Sequence, residues 1–180
     1  RVDITEYWAT LVSIIVGLGV ADLLVNFHRL IHDRKRVRWD PLPLLWALVT
    51  LLLLFNFWWA VAMNLDGSRE ARVVGQFVLL AISPILLFLM CASVLPRAVP
   101  VEGKLDMRAD WAEAREVFLI IFFIRQICTG ATAINASGGF ILDHAMIARL
   151  IIWALVGVSL LTPSRRIEWF AVLGVLAMMV

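Results

Sequence analysis

Apolar residues fall along this chain in six long blocks, and polar residues are mostly confined to the connections between them. The blocks cover about Tyr7–Phe27, Pro41–Met63, Val73–Leu95, Val117–Ser137, Ala145–Thr162 and Ile167–Val180. A helix rising 1.5 Å per residue needs about 20 apolar residues to cross a bilayer core. The pattern predicts an all-α fold: one domain over residues 1–180, a polytopic transmembrane bundle of six helices with short loops. The last block is only 14 residues long and the chain starts at Arg1 instead of methionine, so a longer native protein is expected.

Composition sharpens this picture. Apolar residues make up 62% of the chain and 17% are charged, against roughly a quarter charged in an ordinary soluble domain. Mean hydropathy is +0.91, which excludes a soluble globular domain. The basic residues alternate loop by loop. Arg29, Arg34, Lys35, Arg36 and Arg38 follow the first block, Arg97, Lys104, Arg108 and Arg115 the third, and Arg165 and Arg166 the fifth. The other side holds Arg1, Arg69, Arg72 and Arg149. Eleven against four places the basic loops in the cytoplasm and the amino terminus outside. Trp8, Trp39, Trp111 and Trp169 fall near the expected interfaces, where an amphipathic ring prefers to sit. Trp153 falls near mid-membrane and needs a packing explanation. Cys91 and Cys128 lie within apolar blocks and read as reduced packing residues.

The connection Pro96–Glu116 is patterned in its second half. Met107, Trp111, Ala114 and Phe118 recur at helical spacing, with Asp106, Asp110 and Glu113 on another face. This describes either a short amphipathic interfacial helix before the fourth span or an early start of that span. Pro84 in the third block is expected to free a backbone carbonyl and kink its helix. Ser13, Gly17 and Ala21 at four-residue steps form a small-residue face suited to close helix packing, against this chain or another. Trp-Ala-Leu-Val occurs at Trp46–Val49 and Trp153–Val156, the only trace of an inverted three-plus-three repeat.

Arg125 carries the sharpest expectation. A guanidinium near the middle of a span costs roughly 2.5–3.5 kcal/mol on insertion scales unless it faces protein or water. Depth counting from the block midpoints places Asp22 within a few Å of it, so an Asp22–Arg125 ion pair is expected. Asn26, Asn56, Ser83, Gln126, Thr129 and Thr132 lie at similar depths or along the same faces. They read either as a hydrogen-bonded network that fixes helix register or as the lining of a hydrated path.

No G-x-S-x-G, H-E-x-x-H, P-loop or dinucleotide fingerprint occurs. The run DGSREAR at Asp66–Arg72 resembles the start of the CDP-alcohol phosphotransferase signature, but three residues separate DG from AR and the completing aspartates are missing. His28 and His32 form an H-x-x-x-H pair among basic neighbours, while His144 falls on the opposite side, so interfacial histidines and no metal site are expected. Arg34, Lys35, Arg36 and Arg38 read as a topology signal that contacts anionic headgroups.

The run SIIVGLGVADLLVNFHRLI, then RKRVRWDPLPLLWALV and FNFWWA, resembles small uncharacterised polytopic bacterial inner-membrane proteins over the first third of the chain. The resemblance implies that setting and no activity. The expected function is a structural or accessory subunit of a membrane oligomer or complex, without enzymatic activity or cofactor. Its partners are the lipid bilayer and other membrane subunits or copies of itself, not nucleic acid. The alternative is a small ion channel or transporter with a polar path around Asp22 and Arg125.

Overall fold

Carboxylates start three of the helices. The structure, a computed structural model, describes residues 4–64, 74–100 and 103–179. Asp40 Oδ1 accepts from Leu42 N at 3.1 Å, at the start of α2 (Pro41–Asn64). Asp106 accepts from the amides of Arg108 (3.0 Å) and Ala109 (3.4 Å), opening α4 (Met107–Ser137). Asp143 accepts from Met146 N at 2.8 Å, opening α5 (His144–Leu161). Each satisfies a backbone donor that the first helical turn would otherwise leave unpaired. Gly138 ends α4 at φ 74°, a left-handed cap that glycine adopts without strain. The remaining helices are α1 (Ile4–His32), α3 (Val74–Val94) and α6 (Arg165–Ala177).

Each of the six apolar blocks falls on one helix, with α1 overrunning its block at both ends and α4 starting ten residues ahead of its own. Four of them, α1, α2, α4 and α5, are long and apolar enough to cross a membrane, and Ala81–Val94 of α3 adds a shorter apolar stretch. The side-chain arrangement matches a membrane protein. Ile14, Leu18, Phe55 and Ile124 are exposed, whereas Thr50, Ser83, Arg125 and Gln126 are buried. Apolar side chains facing lipid and polar ones facing protein is the economical arrangement in hydrocarbon.

The amphipathic stretch before the fourth span is not a separate helix. α4 runs unbroken for 31 residues, about 46 Å at 1.5 Å per residue, which exceeds a ~30 Å hydrocarbon core. Met107, Trp111 and Phe118 are buried on one stripe of this extension. The patterning therefore arises from packing against the bundle rather than from lying on a membrane surface.

α3 packs most extensively on α4 and then on α1, and also on α2. α2, α3, α4, α5 and α6 touch in sequence, and α6 returns to α2, closing a five-helix ring with α1 laid across α2 and α3. An aromatic column fills the ring. The Trp46 ring meets Phe118 at 5.4 Å and Phe122 at 5.5 Å edge-on, and Trp111 meets Phe118 at 5.4 Å. Such edge-to-face pairs contribute beyond the area they bury. Trp46 and Trp153 do not occupy matching positions: Trp46 is fully buried in this column, while Trp153 is half-buried against α4. α1, α2 and α3 pack mutually, but α4, α5 and α6 contact mainly in a row, which is not the likeness that repeated halves require.

Gly130 explains Trp153. A Cβ built on Gly130 would lie 2.5 Å from Trp153 Cζ2, so the indole packs directly on the α4 backbone. Gly130→Ala should displace the ring and lower stability by about 1–3 kcal/mol, as overpacking does. A Cβ on Gly17 would meet nothing within 4 Å, so Gly17→Ala should be neutral or slightly stabilising for the isolated chain through helix propensity. Unfolding midpoints of the two variants in detergent check this; equal midpoints would contradict the close approach.

Where the first and third connections leave their helices they pair. A 3-10 turn at Arg34–Arg36 leads into β1 (Val37–Arg38), which runs parallel to β2 (Leu105–Asp106) with Val37 opposite Leu105. Arg29 donates to Arg97 O at 3.1 Å and Arg36 donates to Pro100 O. Arg165 and Arg115 bring the α5–α6 connection to the same end through the contacts given below. The three basic connections therefore share one face of the bundle.

Candidate functional site

Two polar groupings stand out: one at the middle of the bundle, one beneath the basic face. The first centres on Arg125, which is only 5% exposed. Its Nε is buried without a hydrogen-bond partner. Thr129 Oγ1 donates to Arg125 O at 2.8 Å, and Thr132 Oγ1 donates to Thr129 O at 2.8 Å. These hydroxyls are spent within their own helix, and no ion pair to the guanidinium occurs among the described residues. Gln126 is buried beside it in sequence. The indole N–H groups of Trp46 and Trp153 are likewise buried without acceptors.

Asp22 is not the partner of Arg125. Among the described residues, Asp22 accepts from Asn26 Nδ2 at 3.2 Å, and the ion pairs include Arg38–Asp106, Arg115–Glu168 and Arg165–Asp40 but none to Asp22 or Arg125. Two physical reasons separate the expected partners. First, α3 lies between α1 and α4. Second, α1 sits far toward the basic face. A Cβ on Gly19 would lie 3.3 Å from Cys91 Sγ, near the basic end of α3, and Asp22 is almost one turn closer to that end. Val117 shares a cleft with Ala92 and Ser93, so Arg125, eight residues farther along α4, stands about 12 Å away from that level. Hydropathy midpoints assume that helices align at their centres, and α1 does not.

The other expected residues divide by environment. Asn26 is 2% exposed and serves Asp22. Ser83 is buried in α3 next to Pro84. Asn56 is exposed and lines a second cleft, with Phe55, Trp58, Trp59 and Met179 among its walls, away from Arg125. Ser13, Gly17 and Ala21 are all exposed. The face of α1 that packs within the chain is instead Val12, Val16, Gly19, Leu23, Asn26 and Leu30. The small-residue face is thus not covered by the described residues. Arg34, Lys35 and Arg38 are exposed, with Arg38 3.3 Å from Asp106, and Arg36 is half-buried. His28 and His32 are exposed with ring centroids 6.5 Å apart. No group of three or more metal-ligating side chains occurs among the described residues, and both cysteines are free. Asp66–Arg72 lies outside the described residues.

The second grouping was not anticipated as a cluster. Glu168, on the first turn of α6, is 5% exposed. Its Oε1 lies 2.7 Å from Arg115 Nε as an ion pair whose N–H is not aligned for a hydrogen bond, and its Oε2 accepts from Trp111 Nε1 at 3.0 Å. Arg115 Nη2 donates to Ser159 O at 2.6 Å, near the end of α5. Three residues before Glu168, Arg165 Nη2 reaches Asp40 Oδ1 at 2.6 Å, so Asp40 both starts α2 and holds α6. One clasp thereby joins α2, α4, α5 and α6. It places Trp111, expected at an interface, inside the protein with its N–H satisfied.

The clasp holds helices together through pairs between its own groups, although Asp40 Oδ2, Arg115 Nε and Ser159 Oγ remain without hydrogen-bond partners among the described residues. At mid-bundle, by contrast, the cation Arg125 has no anion paired with it among the described residues. Comparison with protein-family models, with curated proteins and with solved structures finds no match to this chain.

Proposed function

We infer that this chain is a non-catalytic integral membrane protein of the bacterial inner membrane. It crosses six times with its basic face in the cytoplasm and works as a structural or accessory subunit of a membrane oligomer or complex. The observation that carries this reading is Arg125, buried at mid-bundle with its Nε unpartnered. A membrane helix keeps such a charge when an anionic group compensates it, and within the described residues no carboxylate does so. Of its guanidinium nitrogens only Nε is enclosed without a partner, so the Nη groups are what a carboxylate on a neighbouring subunit meets to supply the missing half. The uncovered Ser13, Gly17 and Ala21 face of α1 supports the same reading, because small residues let a foreign helix approach closely. Native electrophoresis in mild detergent should show a species well above the 20.3 kDa of the chain. A monomer without a co-purifying protein would sink the proposal.

The second reading is a small ion channel or transporter. Thr50, Ser83, Arg125 and Gln126, buried in the ring, favour it, since an anion passing the bundle would meet an unpaired guanidinium. Ion and proton flux into liposomes, lost in Arg125→Leu, is the result this reading expects. Absence of flux from properly inserted protein would leave the subunit reading.

A further inference from the structure

We propose that the cleft between the end of α3 and the start of α4 binds a zwitterionic phospholipid whose headgroup carries a primary ammonium. The cleft has a volume of about 310 Å³, and its walls include Leu95, Ala114 and Val117, with Arg97 and Asp110 among its polar members. These two side chains carry opposite charges on adjacent elements, yet they form no ion pair with each other among the described residues. Arg97 Nε is tied to Ala92 O at 3.2 Å, which anchors the side chain over the end of α3 and leaves its Nη groups for a ligand. Arg29 donates to Arg97 O and adds a second guanidinium at the rim.

The chemistry of the cleft selects the occupant. It opens on the basic face, where four apolar helices begin or end and where headgroups meet the protein. A headgroup phosphate complements Arg97, an ammonium a few ångströms away complements Asp110, and an acyl chain follows Leu95 and Val117 into the hydrocarbon. A quaternary ammonium brings the same charge without N–H donors and loses the hydrogen bond to Asp110. A purely anionic lipid brings nothing that the Asp110 carboxylate attracts. Basic pockets between helices on the cytoplasmic side are established headgroup sites in general; an acid within the pocket changes which headgroup fits.

This inference rests on the membrane placement proposed above. The test is native mass spectrometry of the full chain in mild detergent, titrated separately with dioleoyl phosphatidylethanolamine, phosphatidylcholine and phosphatidylglycerol. The ethanolamine lipid should bind about fivefold tighter than the choline lipid, the factor expected for one net hydrogen bond. Asp110→Asn should erase that preference while strengthening phosphatidylglycerol. Arg97→Gln should weaken all three, and Arg166→Gln, on the same face and exposed, should change none of the ratios. Equal binding of ethanolamine and choline lipids by the unsubstituted chain overturns the proposal, as does a preference that survives Asp110→Asn. Tightest binding of phosphatidylglycerol overturns it in favour of a simple cationic rim. Retention of no phospholipid of any class would also count against the membrane placement itself, which separates the two failures.

Discussion

Glu168→Ala is expected to cost the fold about 3–5 kcal/mol, among the largest effects of any single substitution in this chain. That range belongs to buried ion pairs broken from one side, where the surviving charge is left without compensation. The Glu168 and Arg115 side chains are only 6% and 14% exposed, so solvent does little to rescue the survivor. The carboxylate also accepts the Trp111 indole N–H, so its removal orphans a second buried donor, typically worth a further 1–3 kcal/mol before relaxation. Glu168→Gln retains an acceptor for Trp111 but not the charge, and should fall between the parent and Glu168→Ala. The decisive comparison is Glu168→Leu with Arg115→Met. The double variant should lose far less than the sum of the singles, because no unpaired charge remains. Unfolding in detergent, followed by tryptophan fluorescence, gives all four values. Additive losses would mean that the clasp does not couple α4 to α6.

Helix positions were legible in the sequence because an apolar block and a spanning helix are nearly the same physical object. Thus the second block, 41–63, and the fifth, 145–162, match α2 and α5 to within a residue or so at either end. Where helices stand relative to one another was not legible. Glu168 and Arg115 are 53 positions apart in the chain, and Arg115 read only as one of the basic residues that set the topology; periodicity within one helix carries no information about the helix it meets. The same blindness misplaced Asp22. Counting residues from each block's midpoint assumes aligned centres, whereas contact between Gly19 and Cys91 fixes α1 well toward the basic face. Trp153 is an intermediate case. Its depth announced a packing problem, and a glycine within the fourth block was the available clue to the answer, but nothing in the sequence pairs Gly130 with it. The parallel pairing of Val37 with Leu105 involves two residues in each strand, too few to leave a pattern.

Arg125→Leu is expected to do the opposite of what a broken ion pair does. Had Arg125 been paired with Asp22, its removal would strand a carboxylate and cost several kcal/mol. With Nε unpartnered in a site only 5% exposed, the native guanidinium is itself the charge that no described residue compensates. Leucine is shorter than arginine, but it is apolar and needs no acceptor. The isolated bundle should therefore gain stability, by up to the ~2.5–3.5 kcal/mol that an arginine costs at mid-span. In a cycle with Asp22→Asn, the two effects should add to within about 0.5 kcal/mol, the behaviour of sites without shared partners. Assembly should respond in the other direction: Arg125→Leu should lose the higher-mass species in native electrophoresis, while Arg125→Lys, which keeps the charge but not the planar fork, should retain part of it. A more stable chain that no longer assembles is what a guanidinium held for a neighbouring subunit's carboxylate predicts. A destabilised chain with coupling to Asp22 would restore the internal pair and remove the reason to look outside the chain for the anion.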